Sequence, residues 1–170
     1  MPKPEKVNVA TPSDHEIQIT REFDAPRERV FEAWTTPSIL KKWMFGPDGH
    51  SLETCEIDLR VGGKLRYVWH LPDGGEMGLS GEFREVNPPE RLVHTELFDP
   101  DWAGGETKVT TAFTAQADRT RVDIIVRYNS RDARETALQS PMAEGMEMGF
   151  ARLERLLGAK VSTYVLDAGL

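Results

Sequence analysis

The chain has 170 residues, 39% hydrophobic and 29% charged, a composition that suits one soluble globular domain whose core needs neither disulfides nor metal. A net charge of −7, from 28 acidic against 21 basic residues, and the lack of any Lys/Arg run exclude the phosphate-neutralising surface of a nucleic-acid binder. The single cysteine, Cys55, rules out an intrachain disulfide, and no run of about 18 apolar residues offers a membrane span or a secretion signal, so a reducing cytoplasm is expected.

Residues 1–14 hold three prolines and no apolar period, which predicts a flexible leader, with the folded domain over 15–158 and an unassigned tail over 159–170. EIQITREF alternates like a strand, placing Ile17, Ile19 and Arg21 on one face, and runs into the helix APRERVFEAW. There Asp24 or Ala25 caps, Pro26 sits in the first turn, and Val30, Phe31 and Trp34 form an apolar stripe. TTPSILKKW repeats the signal in short form, with Thr36 as cap, Pro37 opening, and Ile39, Leu40 and Trp43 to bury.

After the turn Gly46-Pro47-Asp48-Gly49 the period changes to two. TCEIDLR sets Cys55, Ile57 and Leu59 against Glu56 and Asp58, and KLRYVWH sets Leu65, Tyr67 and Trp69 against Lys64, Arg66 and His70. PDGGE turns the chain into LSGEFREV, and GETKVTTAFTA and TRVDIIVRY supply two more strands, with Val122, Ile124, Val126 and Tyr128 on one face. Short turns predict an antiparallel meander of one layer, with one face left to cover. Arg66, Glu82, Arg84 and Asp123 mark the outer, solvated face.

A long C-terminal helix is expected to cover the other face. After a short helix DARETALQ, Ser140 and Pro141 read as its N-cap and first turn, and Gly158 as its stop. Met142, Gly145, Met146, Gly149, Phe150, Leu153, Leu156 and Leu157 fall within an arc of about 140° at about 100° per residue. Two glycines in that stripe each cost a helix roughly 1 kcal/mol relative to alanine, which points to a close backbone approach or open space.

The strand between Pro88 and Trp102, PPERLVHTELFDPDW, places Leu92, His94, Glu96 and Phe98 on one face and Val93, Thr95 and Leu97 on the other. Either face can point inward, since a one-residue slip exchanges them. His94 and Glu96, two apart on one strand, are close enough to hydrogen-bond and to shift each other's protonation. Three roles stand open for them: solvent-exposed strand residues, a polar anchor for a ligand, or an acid/base pair. His15, His50, His70 and His94 form no metal signature, and no GxSxG, P-loop or GxGxxG occurs; Gly62-Gly63 and Gly74-Gly75 are explained as turns. No catalytic residue, metal or cofactor is therefore assigned. Cys55 reads as a small buried hydrophobe.

Five segments in order, ITREFDAPRERVFEAWT, WMFGPDG, CEIDLRVGGKLRYVW, SGEFREVNPPERLVHTE and GMEMGFARLERLL, closely resemble the activator of heat-shock-protein ATPase (AHSA-like) family of the START-like, or SRPBCC, superfamily. The resemblance covers roughly residues 15–158. It implies an α+β helix-grip fold, in which a curved antiparallel sheet wraps a long C-terminal helix, with two short helices after the first strand. It also implies a cavity between sheet and helix for hydrophobic small molecules, with superfamily members ranging from lipid-transfer domains to polyketide cyclases and co-chaperones.

If the Leu92 face points inward, the lining comprises Tyr67 and Trp69, Phe83, then His94 and Glu96, with Phe113 and Ile124 beyond them and Met142, Met146 and Phe150 from the helix. The alternative is that these side chains fill a plain core. The expected function is a non-enzymatic carrier or sensor of a small hydrophobic or aromatic molecule, as a monomer or homodimer. The alternatives are a polyketide cyclase-like or hydrolase-like enzyme and a co-chaperone-like stress-response protein with a chaperone partner. The chain is expected to hold the grip domain alone, without the additional N-terminal domain of full-length eukaryotic activators.

Overall fold

The alternation in EIQITREF is realised as a strand whose every second residue is buried, ending on Phe23. The structure, a computed structural model, describes the backbone of residues 7–168 and the side chains of residues 7–158. In chain order the elements are β1 (Asn8–Ser13), β2 (Glu16–Phe23), α1 (Arg27–Thr35), α2 (Pro37–Leu40), β3 (Ser51–Ile57), β4 (Lys64–His70), β5 (Glu76–Asn87), β6 (Arg91–Asp99), β7 (Thr107–Gln116), β8 (Arg119–Arg127), α3 (Arg131–Gln139) and α4 (Met142–Ala168). The strands form one antiparallel sheet ordered β1-β2-β8-β7-β6-β5-β4-β3. It curves around α4, which is the helix-grip arrangement.

Three expectations are corrected. Within the segment read as a flexible leader, Asn8–Ser13 is a paired edge strand, with Asn8 opposite Thr20 and Val9 opposite Ile19. Its residues are mostly exposed, so backbone pairing holds it instead of burial, helped by the buried Arg134 of α3, whose guanidinium donates to the carbonyls of Ser13 (2.8 Å) and Glu16 (3.3 Å). Gly158 does not stop the last helix; it stays helical, and the backbone continues to Ala168. A stop glycine acts by turning left-handed, and Gly158 is not among the left-handed glycines. The caps also shift: Pro26 takes the position expected of Asp24 or Ala25, and Ser140 ends α3 rather than opening α4. The carbonyl of Pro141 accepts the first bond of α4, from Gly145 N–H at 3.0 Å.

The inner face is set by register. Tyr67 pairs with Leu79 and Leu79 with Phe98. His94 pairs with Phe83 and Val109, Val109 pairs with Val126, and Val126 pairs with Ile17. The Leu92 face of β6 is thus continuous with the buried face of every neighbour, while Leu97, on the other face, is 43% exposed. The outer face carries ion pairs: Lys64 with Glu82 across β4 and β5, and, two residues apart along a single strand, Arg84 with Glu82 and Arg121 with Asp123.

One half of the space between sheet and helix is solid. Trp34 of α1 stands at its centre, with ring centroids 5.9 Å from Phe23, 4.8 Å from Trp43, 5.5 Å from Phe113 and 5.7 Å from Phe150. Edge-to-face and tilted contacts at these distances contribute beyond the area they bury. The Trp43 indole N–H, fully buried, donates to Ala33 O at 3.1 Å. Gly149 admits this packing: a Cβ there would lie 3.0 Å from Trp43 O.

Candidate functional site

The other half is built differently. Around β4, β5 and β6 the inner face carries Tyr67 and Trp69, whose rings meet edge to face at 5.8 Å, and Phe83, 5.9 Å from the His94 ring. His94 Nε2 lies 2.9 Å from Glu96 Oε2. Because an ionised carboxylate can only accept, the ring donates from Nε2, which leaves Nδ1 buried and without a partner. The two side chains are 13% and 21% exposed. Of the roles open to the pair, outward exposure is removed.

Register explains how Glu96 reaches across the sheet. Thr107 of β7 stands opposite it, and the Thr107 hydroxyl lies 3.4 Å from the Glu96 carbonyl. Beside it β5 contributes Gly81, where a Cβ would collide with the backbone carbonyl of Thr95 and press on Leu65. Glu96 faces two phenols. Burial first, then Cys55 and Glu96, hold the Tyr67 hydroxyl well above its ordinary value; burial and then Glu96 push Tyr128 up to about 12. Both phenols are therefore neutral donors at physiological pH. Tyr128 O–H points at Met142 Sδ, 3.6 Å away, so the first turn of α4 closes over this end.

That closure is incomplete. Met142, Met146, Phe98 and Val126 are only partly buried against the core, and a Cβ on Gly145 would meet nothing within 4 Å. The paired glycines of α4 thus serve opposite needs one turn apart, Gly149 close approach and Gly145 open space. Phe98 stacks on Trp102 at 4.8 Å, and Trp102 is 40% exposed.

The ten expected lining residues therefore divide. Tyr67, Trp69, Phe83, His94 and Glu96 share the polar half, to which Tyr128 joins Met142, while Met146, one turn further along α4, is partly buried against the core. Phe113 and Phe150 belong to the solid aromatic half, and Ile124 lies in the floor between Ile19 and Thr111. Trp69 is also a strut, its indole N–H donating to Met44 O at 2.8 Å. The reading from sequence missed Tyr128, Thr107 and Gly81. Tyr128 stood in the β8 alternation, but only the order β6-β7-β8 brings it to Glu96. Among the described residues no group of three or more His, Cys, Asp or Glu could hold a metal ion, and no helix is long and apolar enough to cross a membrane.

Residues 24–158 match the family model described as Activator of Hsp90 ATPase homolog 1-like protein. A crystal structure of a Rhodobacter sphaeroides protein is 33% identical, with a TM-score of 0.86 over 91% of this chain and 99% of that one. A Nitrosomonas europaea protein is 26% identical, with a TM-score of 0.78 over 89% of this chain and 99% of that one. A Mycobacterium smegmatis protein is 27% identical, with the same TM-score, 0.78, over 89% and 96%. No curated protein matches the chain. The family match spans most of the chain and agrees with the grip of sheet on helix, and the chain belongs to the family of Activator of Hsp90 ATPase homolog 1-like proteins.

Proposed function

We propose that this protein binds a small, largely apolar molecule between the first turns of α4 and the inner face of β4 to β8, as a carrier or sensor. The observation that carries this reading is the contrast between the two halves. Where Trp34 fills the space, large side chains are sealed; next to Gly145 there is room, and apolar and ionisable side chains on the inner face stay partly exposed. A mostly apolar enclosure with a few convergent polar groups is the usual make-up of a ligand site. The flexible thioethers of Met142 and Met146 fit a wall that adapts to its contents. A lone buried thiol at Cys55 suits a reducing cytoplasm.

Native mass spectrometry of freshly purified protein, with extraction of any bound molecule and a thermal-shift screen of apolar compounds, tests this. The expected result is an adduct or a stabilising compound in the wild type that is lost in a folded Gly145→Phe variant, whose ring occupies the space. No adduct and no stabilisation, or equal binding by the variant, refutes the proposal.

A further inference from the structure

We infer that this site takes an uncharged ligand presenting a hydroxyl or N–H donor, such as a phenol or enol, and rejects a free carboxylate. The inference rests on the binding-site reading above and adds the chemistry of the ligand's polar end. Its basis is Glu96. A carboxylate offers about four acceptor positions, and the only side-chain bond to it among the described residues is the one from His94 at 2.9 Å. At 21% exposure the carboxylate is only partly open to bulk water, and a partly buried carboxylate is stabilised by a further donor.

The surrounding charges settle the sign. Of the largely buried guanidinium groups, Arg21 is held by Glu147 (3.2 Å) and Glu154 (3.4 Å) of α4, Arg152 of α4 by Asp48 (3.1 Å) over the Phe45 ring, and Arg134 by Glu135 (2.7 Å) and the Ser13 carbonyl (2.8 Å). Lys41 lies towards Cys55 and is exposed. Among the described residues the one cationic side chain in contact with Glu96 is then His94, each buried guanidinium having a carboxylate of its own, so an incoming anion meets Glu96 with no free guanidinium beside it. A neutral hydroxyl does better in both directions. It donates to Glu96, and its oxygen accepts from Tyr67, whose O–H has no hydrogen-bond partner among the described residues. The apolar body of such a ligand lies against Phe83, Met142 and Met146.

Affinities for naphthalene, naphthol and naphthoate at pH 7, by calorimetry or intrinsic fluorescence, test this on the wild type and on Glu96→Gln. Naphthol is expected to bind at least about tenfold more tightly than naphthoate in the wild type. Any apolar site penalises a carboxylate, so the deciding readout is the variant: Glu96→Gln removes the charge at nearly constant shape, and the naphthol-to-naphthoate ratio is expected to fall at least about threefold. Naphthoate binding as tightly as naphthol, or a ratio unchanged by Glu96→Gln, overturns the inference while naphthalene binding leaves the site itself standing. Failure of all three probes to bind overturns both.

Discussion

Replacing Gly145 and Gly149, one turn apart on the same face of α4, with alanine should move stability in opposite directions. In a helix interior alanine is favoured over glycine by about 1 kcal/mol. At Gly145 the new methyl meets nothing within 4 Å, so the gain is realised in full. For a domain of this size it corresponds to a rise in Tm of about 2–4 °C. At Gly149 the same gain is opposed by a Cβ 3.0 Å from Trp43 O and 3.7 Å from the Trp43 ring. Trp43 cannot yield easily, being 1% exposed and tied by its indole to Ala33. Overpacking of that kind costs about 1–3 kcal/mol, leaving Gly149→Ala between neutral and about 2 kcal/mol less stable than the wild type. Urea unfolding followed by tryptophan fluorescence and far-UV circular dichroism reads both changes, with an unchanged m-value as the check that only stability has moved. A loss of stability in Gly145→Ala as large as that in Gly149→Ala would show that no space exists there, and would remove the main support for a binding site.

The remaining predictions concern ionisable groups. Burial works to raise the Asp123 carboxyl, but hydrogen bonds from Arg121, Thr20 and Gln18 outweigh it and hold the group below its ordinary 3.8. The stabilisation is thus present above that value and is lost as pH falls through the lower folded one. Asp123→Asn should be less stable than the wild type at neutral pH, with the gap closing in acid denaturation series below about pH 4; a gap independent of pH would contradict this. Burial raises the Cys55 thiol to about 11, with Lys41 opposing. Labelling with a thiol reagent at pH 8 should therefore be slow in the folded protein and fast in denaturant, and fast labelling of the native state would show that β3 opens at its edge.

Much of the fold could be read from period alone. Leu65, Tyr67 and Trp69 alternate because the inner face of β4 is uniformly buried, and the α4 stripe was evident for the same reason. What period could not supply was the division of the interior. Phe113 and Phe83 look alike as inward strand aromatics, and they part only because Phe31 and Trp34, carried by α1, pack on the first and leave the second beside His94. Arg21 likewise fitted the inward alternation of β2, but its partners Glu147 and Glu154 lie more than a hundred residues away and follow from where α4 crosses. The orientation of β6 needed its neighbours, since Val93 is buried too. It pairs with Glu85 beside a register shift between Phe83 and Glu85 in β5, where the strict alternation is broken. The first strand left no hydrophobic trace at all, because hydrogen bonds and Arg134 hold it.

That first strand has a consequence for the protein among its own copies. Without it the sheet would end on EIQITREF, a straight strand whose unpaired amides and carbonyls invite another chain to dock and stack. Asn8–Ser13 lies along that border like a selvedge. Its side chains are mostly exposed, its pairing with β2 is interrupted between Ala10 and Ser13, and Pro12 has no N–H to offer a further strand. Arg134 keeps this hem sewn down, so a short, mostly exposed strand guards the sheet against intermolecular pairing on that side.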